Sequence, residues 1–80
     1  MTITIKYFGL LVDITQKKEE KFSIVENNIA LSFLKSKIET VYEELKNTNY
    51  SIAVNQSISS LDHNIKDQDV IALLPPFAGG

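Results

Sequence analysis

The chain opens on strict alternation. Ile3, Ile5 and Tyr7 fall on one side and Thr2, Thr4 and Lys6 on the other, the pattern of a half-buried strand rich in β-branched residues. Phe8 leads into a short apolar stretch, Gly9 to Ile14, read as a turn of helix before the polar cluster from Gln16 to Glu20. A second alternation sets Phe22 and Ile24 inward against Lys21 and Ser23, so the two strands make a hairpin with a long connection. Glu26-Asn27-Asn28 breaks the pattern. Asn28 is placed to cap a helix, because its side-chain oxygen can accept an unpaired amide of the first turn. From Ile29 the period lengthens: Leu31, Leu34, Ile38, Val41, Tyr42 and Leu45 recur at threes and fours, and Ile29 and Phe33 widen the stripe. That spacing predicts an amphipathic helix running to about Lys46, ended by Asn47-Thr48-Asn49.

The last third returns to strand. Ile52 and Val54 alternate with Ala53 and Asn55, Asn55-Gln56-Ser57 is a tight turn, and a short strand follows around Ile58. Leu61 to Asp69 is a polar loop held by two apolar anchors, Leu61 and Ile65. Val70-Ile71-Ala72-Leu73-Leu74 is a continuous apolar run, which predicts a central strand covered on both faces. Pro75-Pro76 stops it, since neither residue can donate to a ladder. Hairpin, helix, then further strands imply an α+β fold. A mixed sheet of four to five strands carries one main helix across it, and the first and last strands pair in parallel. This is the β-grasp, or ubiquitin-like, order of elements. The domain spans residues 1–76, followed by a tail over 77–80.

Composition removes most other chemistry. The 80 residues hold no cysteine, one histidine, eight basic side chains that are all lysine, and a net charge of −2. A thiolate metal site, a disulfide framework and a cysteine nucleophile are therefore absent from this sequence. No metal site is expected. Without arginine there is no bidentate fork for phosphate or guanine, and the acidic balance argues against nucleic acid as a partner. No apolar run reaches the roughly 18 residues of a membrane span, and the first residues lack a signal-peptide layout. A cytoplasmic protein with no membrane association is expected. A stand-alone enzyme finds no support, because no nucleophile–base pair, metal cluster or phosphate loop is present.

The remaining chemistry lies in Leu74-Pro75-Pro76-Phe77-Ala78-Gly79-Gly80. Two prolines stiffen the exit from the last strand. Two glycines strip side-chain bulk from the carboxylate of Gly80, so a narrow channel in another protein could admit it. That carboxylate, with an ordinary pKa of about 3.3–3.7, is ionised at neutral pH and must be activated before a nucleophile can attack it. Ala53-Val54-Asn55-Gln56, Asp62-His63, Asp67-Gln68-Asp69 and the Pro-Pro-Phe-Ala-Gly-Gly end together resemble the small-subunit family of molybdopterin synthase, ubiquitin-like sulfur carriers of similar length.

The resemblance implies a non-catalytic sulfur-donating role. An adenylylating enzyme would activate Gly80 with ATP, and a persulfide donor would convert it to a thiocarboxylate. The tail would then enter the large synthase subunit and deliver sulfur to cyclic pyranopterin monophosphate in molybdenum cofactor biosynthesis. The small subunit binds no cofactor itself; ATP is used by the activating partner. Gly79, Ala78 and Phe77 would insert with Gly80, while Phe77, Pro76, Pro75 and Leu74 would contact the large subunit. Two departures stand out: Gln68 replaces the family's usual glycine between the aspartates, and Val12-Asp13 replaces a frequent arginine–acid pair. His63 reads as a solvated turn residue, and the two loop aspartates as turn residues rather than cation ligands. Other readings are a thiamin-type or tRNA-thiolation carrier, which share the fold and the Gly-Gly end, and a ubiquitin-like binding module with an inert tail.

Overall fold

The computed structural model describes residues 1–76. The roles expected of Phe77, Ala78, Gly79 and Gly80 lie outside the described residues. The elements in chain order are β1 (Thr2–Tyr7), α1 (Leu10–Thr15), β2 (Glu19–Ser23), β3 (Asn28–Ala30), α2 (Leu31–Val41), a 3₁₀ segment (Glu43–Asn47), β4 (Ser51–Val54), β5 (Ser57–Ile58), β6 (Asn64–Lys66) and β7 (Val70–Leu74). Five strands form one mixed sheet in the order β2-β1-β7-β4-β5, and β3 with β6 makes a small second pair. β1 and β7 run parallel, with Ile5 level with Ile71 and Tyr7 level with Leu73. The other pairings are antiparallel. This is the β-grasp architecture.

Alternation in β1 sends Ile3, Ile5 and Tyr7 to the helix side, where they join Ile71 and Leu73 of β7, Ile52 and Val54 of β4, and Leu34 and Ile38 of α2 in one core. Each fully buried Ile or Leu there contributes about 1.5–3 kcal/mol relative to exposure. Phe22 packs on the rim of this core and Ile24 is buried just beyond the end of β2. The turn of helix after Phe8 is α1, closed by Gln16 in the left-handed region, with φ 62°.

The structure corrects several expectations. Asn28 caps no helix: it lies in β3, opposite Lys66, and the helix begins two residues after Ile29. The N-cap residue is Ala30, which makes no side-chain cap. The first-turn amides are satisfied instead by the backbone: Leu31 N donates to His63 O at 2.8 Å and Ser32 N to Leu61 O at 2.8 Å. The loop from Leu61 to His63 therefore does the capping, which the local sequence around Asn28 does not reveal. At the other end α2 stops at Val41, because Tyr42 leaves helical geometry with φ −122° and ψ 86°. The following 3₁₀ turn re-aims the chain and buries Leu45. Phe33 and Val41 do not belong to the buried stripe; they are 61% and 59% exposed.

The loop from Leu61 to Asp69 contains β6, and only Ile65 anchors it, since Leu61 is exposed. β7 is central, as expected, but it is covered on one face. Ile71 and Leu73 are fully buried, while Val70, Ala72 and Leu74 are only half-buried on the side away from α2.

Candidate functional site

The site grows from β7 and from what holds its two ends. At its start, the Asn55 amide group clamps the strand. Asn55 Nδ2 donates to Asp69 Oδ1 at 3.0 Å, and Val70 N donates to Asn55 Oδ1 at 2.9 Å. The Asp69 carboxylate also accepts Lys66 N at 2.8 Å, closing the turn on itself. Asp67 Oδ1 accepts Thr2 N at 2.7 Å, and Gln68 N donates to Thr2 O at 2.7 Å, tying this turn to β1. That backbone donor holds the Asp67 carboxyl below its usual range. Gln68 sits at φ 69°, so the turn does require the left-handed region where glycine would be unstrained. Asn55 and Gln56, at φ 49° and 74°, make the tight two-residue connection between β4 and β5. The Ala-Val-Asn-Gln and Asp-Gln-Asp segments are thus structural: they fix the register of the strand that carries the tail.

At the other end Leu74 runs into Pro75, and Pro75 rests on Gly9. A Cβ at Gly9 would stand 2.8 Å from Pro75 Cγ, and Gly9 holds φ +58°. Glycine is needed there twice over, for the backbone conformation and for the space the proline ring fills. β1 and β7 therefore leave the sheet in contact, and the first proline departs in a set direction. Pro76 is exposed beyond it.

The open face of the sheet completes the site. Residues paired in register share a face, so Val70, Ala72 and Leu74 of β7 lie beside Thr4 and Lys6 of β1 and beside Ser51 and Ala53 of β4. Ile58 stands opposite Ala53 on the same face and is 67% exposed. Phe8, one residue past Tyr7 and so level with Leu74, is 44% exposed. An apolar strip thus crosses the uncovered face and ends at the proline exit. This strip is the candidate contact surface of the domain. Leu74 and Pro75 were expected in it. Ile58 and Phe8 were not; a lone isoleucine within Asn-Gln-Ser-Ile-Ser-Ser was the available signal.

Two carboxylates held by tyrosines lie elsewhere and are structural. Glu20 accepts Tyr7 Oη at 2.5 Å, Tyr42 Oη at 2.6 Å and Lys17 Nζ at 3.0 Å. Burial pushes its carboxyl up, but these three donors outweigh it and the net shift is downward. Burial and the neighbouring Glu20 raise the Tyr7 hydroxyl far above its ordinary range. Glu39 is held similarly by Lys35 and Tyr50. His63 is exposed in its turn and, among the described residues, takes part in backbone hydrogen bonds only. Among the described residues, no group of three His, Cys, Asp or Glu is placed to hold a metal ion. No helix among them is long and apolar enough to cross a membrane.

Known proteins match this arrangement along its length. The model of the ThiS family matches residues 5–80. In the molybdopterin-converting factor complex of subunits 1 and 2 from Helicobacter pylori 26695, one chain is 37% identical, with all of both chains covered and a TM-score of 0.65. The putative molybdopterin converting factor subunit 1 of Pyrococcus furiosus is 26% identical over 95% of this chain and 98% of that one, with a TM-score of 0.87. Small archaeal modifier protein 1 of Haloferax volcanii, at 13% identity, 95% and 98% coverage and a TM-score of 0.83, shares the fold. A ubiquitin-like sheet and a family match that begins inside β1 and runs to Gly80 lead to one conclusion: the chain belongs to the ThiS family.

Proposed function

We propose that this chain is a sulfur carrier acting as the small subunit of molybdopterin synthase. The observation that carries the reading is the apolar open face running into a strand exit fixed by Pro75 on Gly9. It supports docking on a larger protein, with the tail directed from the edge of the interface into that partner. The 37% identity to a chain of the two-subunit Helicobacter pylori complex supports the large subunit as the partner. Phe8, Ile58, Leu74, Pro75 and Pro76 would line the contact, and Phe77 would anchor it where the tail leaves the domain. A family match alone fits a thiamin-type or tRNA-thiolation carrier as well; the identity to a converting-factor subunit favours the molybdopterin branch.

In this mechanism the domain supplies position and the terminal carboxylate supplies reactivity. An activating enzyme joins the Gly80 carboxylate to AMP from ATP, releasing pyrophosphate. The terminal sulfur of a persulfide donor displaces AMP to form an acyl disulfide, and a thiol then cleaves the S–S bond, becoming a disulfide with the donor and releasing the thiocarboxylate. Inserted into the large subunit with Ala78 and Gly79, that group passes its sulfur to cyclic pyranopterin monophosphate, and water attacks the acyl carbon to restore the Gly80 carboxylate. The chain is non-catalytic on its own and binds no cofactor in this scheme.

The test is deletion of Gly80. It withdraws the carboxylate by up to about 3.6 Å along an extended chain, where a misplacement of 1 Å can cost on the order of a hundredfold in rate. Wild-type chain incubated with activating enzyme, ATP and a sulfur donor is expected to exchange one carboxylate oxygen for sulfur, read by intact mass, and to support molybdopterin formation. The shortened chain is expected to fold and dock but to make no product. Product formation by the shortened chain at the wild-type rate overturns the mechanism.

A further inference from the structure

The two edges of the five-stranded sheet are finished differently. β5, at one edge, has only Ser57 and Ile58. β2, at the other, runs from Glu19 to Ser23, and its ladder with β1 extends further at both ends: Tyr7 N donates to Lys18 O at 2.9 Å and Ile24 N to Met1 O at 2.8 Å. Its register is regular, without a bulge, and it holds no proline. Alternate residues of an antiparallel strand turn their backbone groups to the same neighbour. Lys18, Glu20, Phe22 and Ile24 therefore face β1, and Glu19, Lys21 and Ser23 turn their N–H and C=O groups outward. Among the described residues no strand and no other backbone group pairs with them. Sheet edges are commonly closed by shortness, proline or a bulge. β5 is closed by its shortness; β2 has only its charged side chains.

Those charges select a register when β2 meets a second β2. Two-fold symmetric, antiparallel pairing sets one residue opposite itself at the axis. Centred on Glu19, Glu20 or Lys21, the pairing would set like charges directly opposite, which is destabilising. Glu20 is already committed to Tyr7, Tyr42 and Lys17. Centred on Ser23, it would run off the end of the strand. Centred on Phe22, it sets Lys21 opposite Ser23 on the open face and Glu20 opposite Ile24 on the helix side. No like charges are then directly opposed. Lys21 and Ser23 are also outward-facing residues, so each exchanges both backbone hydrogen bonds with its counterpart in the second copy. Phe22, half-buried on the rim of the core, falls at a close, non-hydrogen-bonded position, about 4.5 Å between Cα atoms. The two rings meet there and cover each other.

We propose that the β2 edge is a self-association surface, on which a second copy of this chain pairs in antiparallel register about Phe22. The two sheets join into one, and the two-fold axis stands perpendicular to it, so both open faces lie on the same side and stay uncovered. β7 is parallel to β1 and β1 antiparallel to β2, so the two β7 strands run in opposite directions. Their proline exits leave from opposite ends of the joined sheet, each within reach of its own partner. The contact is a single short strand pair, smaller than a standard stable interface, and its Kd falls in the range of roughly 1 μM to 1 mM. This inference does not depend on which protein receives the tail.

The test is sedimentation equilibrium of the full chain alone, from about 10 μM to about 1 mM. The mass is expected to rise with concentration from 9.0 kDa toward twice that value. Ser23 is exposed, and its variants probe the register. Ser23→Lys sets a second lysine opposite Lys21 and is expected to weaken association about threefold or more at low salt. Ser23→Glu supplies an opposite charge there and is expected to tighten it by a similar factor. Both effects are expected to fade as salt rises. Lys21→Pro removes an outward N–H without touching the ladder to β1 and is expected to abolish association. Ser36→Lys, on the exposed side of α2, is expected to stay within twofold of wild type. Circular dichroism melting checks that each variant is folded; if Lys21→Pro does not fold, the two Ser23 variants decide. A wild-type mass that stays at 9.0 kDa up to about 1 mM overturns the proposal. So does a wild type that associates while both folded Ser23 variants stay within twofold of it.

Discussion

Replacing Gly9 by alanine probes the anchor of the strand exit, and the structure sets its size. Gly9 holds φ 58° and ψ −134°, a conformation that L residues rarely adopt. Forcing alanine into such a region costs on the order of 1–3 kcal/mol. The new methyl would also stand 2.8 Å from Pro75 Cγ. Restoring an ordinary contact of 3.4 Å requires the proline ring to retreat by about 0.6 Å (3.4 − 2.8). Either the Phe8-Gly9 backbone rearranges or Pro75 moves, and both redirect the chain beyond it. A loss of about 2 kcal/mol lowers the melting temperature of a domain this size by roughly 8–16 °C. Thermal and urea unfolding of the two proteins measure this loss. A synthetic chain with D-alanine at position 9 separates the causes, because a D residue accepts positive φ without strain and points its methyl the other way. D-alanine is expected to stay within about 0.5 kcal/mol of glycine. An L-alanine variant that melts within 2 °C of wild type refutes the reasoning.

Two further predictions follow from side-chain roles. Asn28→Ala is expected to leave stability within about 0.5 kcal/mol, because Asn28 makes no cap and is exposed at the end of a short strand; urea unfolding checks it, and a loss above 1 kcal/mol restores the capping role. Glu20 and Glu39 both titrate below their ordinary range in the folded chain. Their stabilisation is therefore complete above the unfolded carboxyl pKa of about 4.5 and is lost as pH falls through the lower folded value. Glu20→Gln is expected to destabilise at pH 7 and to flatten the acid limb of a stability–pH curve measured by denaturation. An acid limb as steep as the wild type's assigns that dependence to other groups.

The order of elements was legible because most of them declare themselves locally. Ile3, Ile5 and Tyr7 alternate, Leu31, Leu34 and Ile38 recur at helical spacing, and the prolines mark the end of β7. What was not legible depends on distant partners. Ile29 extends the helical stripe by spacing, yet it is buried by pairing with Ile65, a residue far along the chain. The helix cap comes from carbonyls of the loop at Leu61 and His63, so no local residue type announces it. The apolar run of β7 reads as a strand covered on both sides, and the structure leaves one side bare. The run is apolar on both faces, whereas among the described residues only one face is fully buried. Of the candidate site, Leu74 and Pro75 could be placed by their motif. Phe8 and Ile58 required the register that brings four strands together.

The placement of β7 has a mechanical consequence. It is flanked by β1 in parallel and β4 in antiparallel alignment, and its first residues are pinned by Asn55 and Asp69. A load applied to the chain beyond Pro76 and directed along the strand strains both flanking ladders together in shear. It cannot peel one hydrogen bond at a time, as it would at an edge strand. The bonds on either side share the force, and the clamp at Asn55 lies at the end farthest from the pull. The domain can therefore act as a rigid handle: tension on the terminal segment moves the whole body before it extracts the strand.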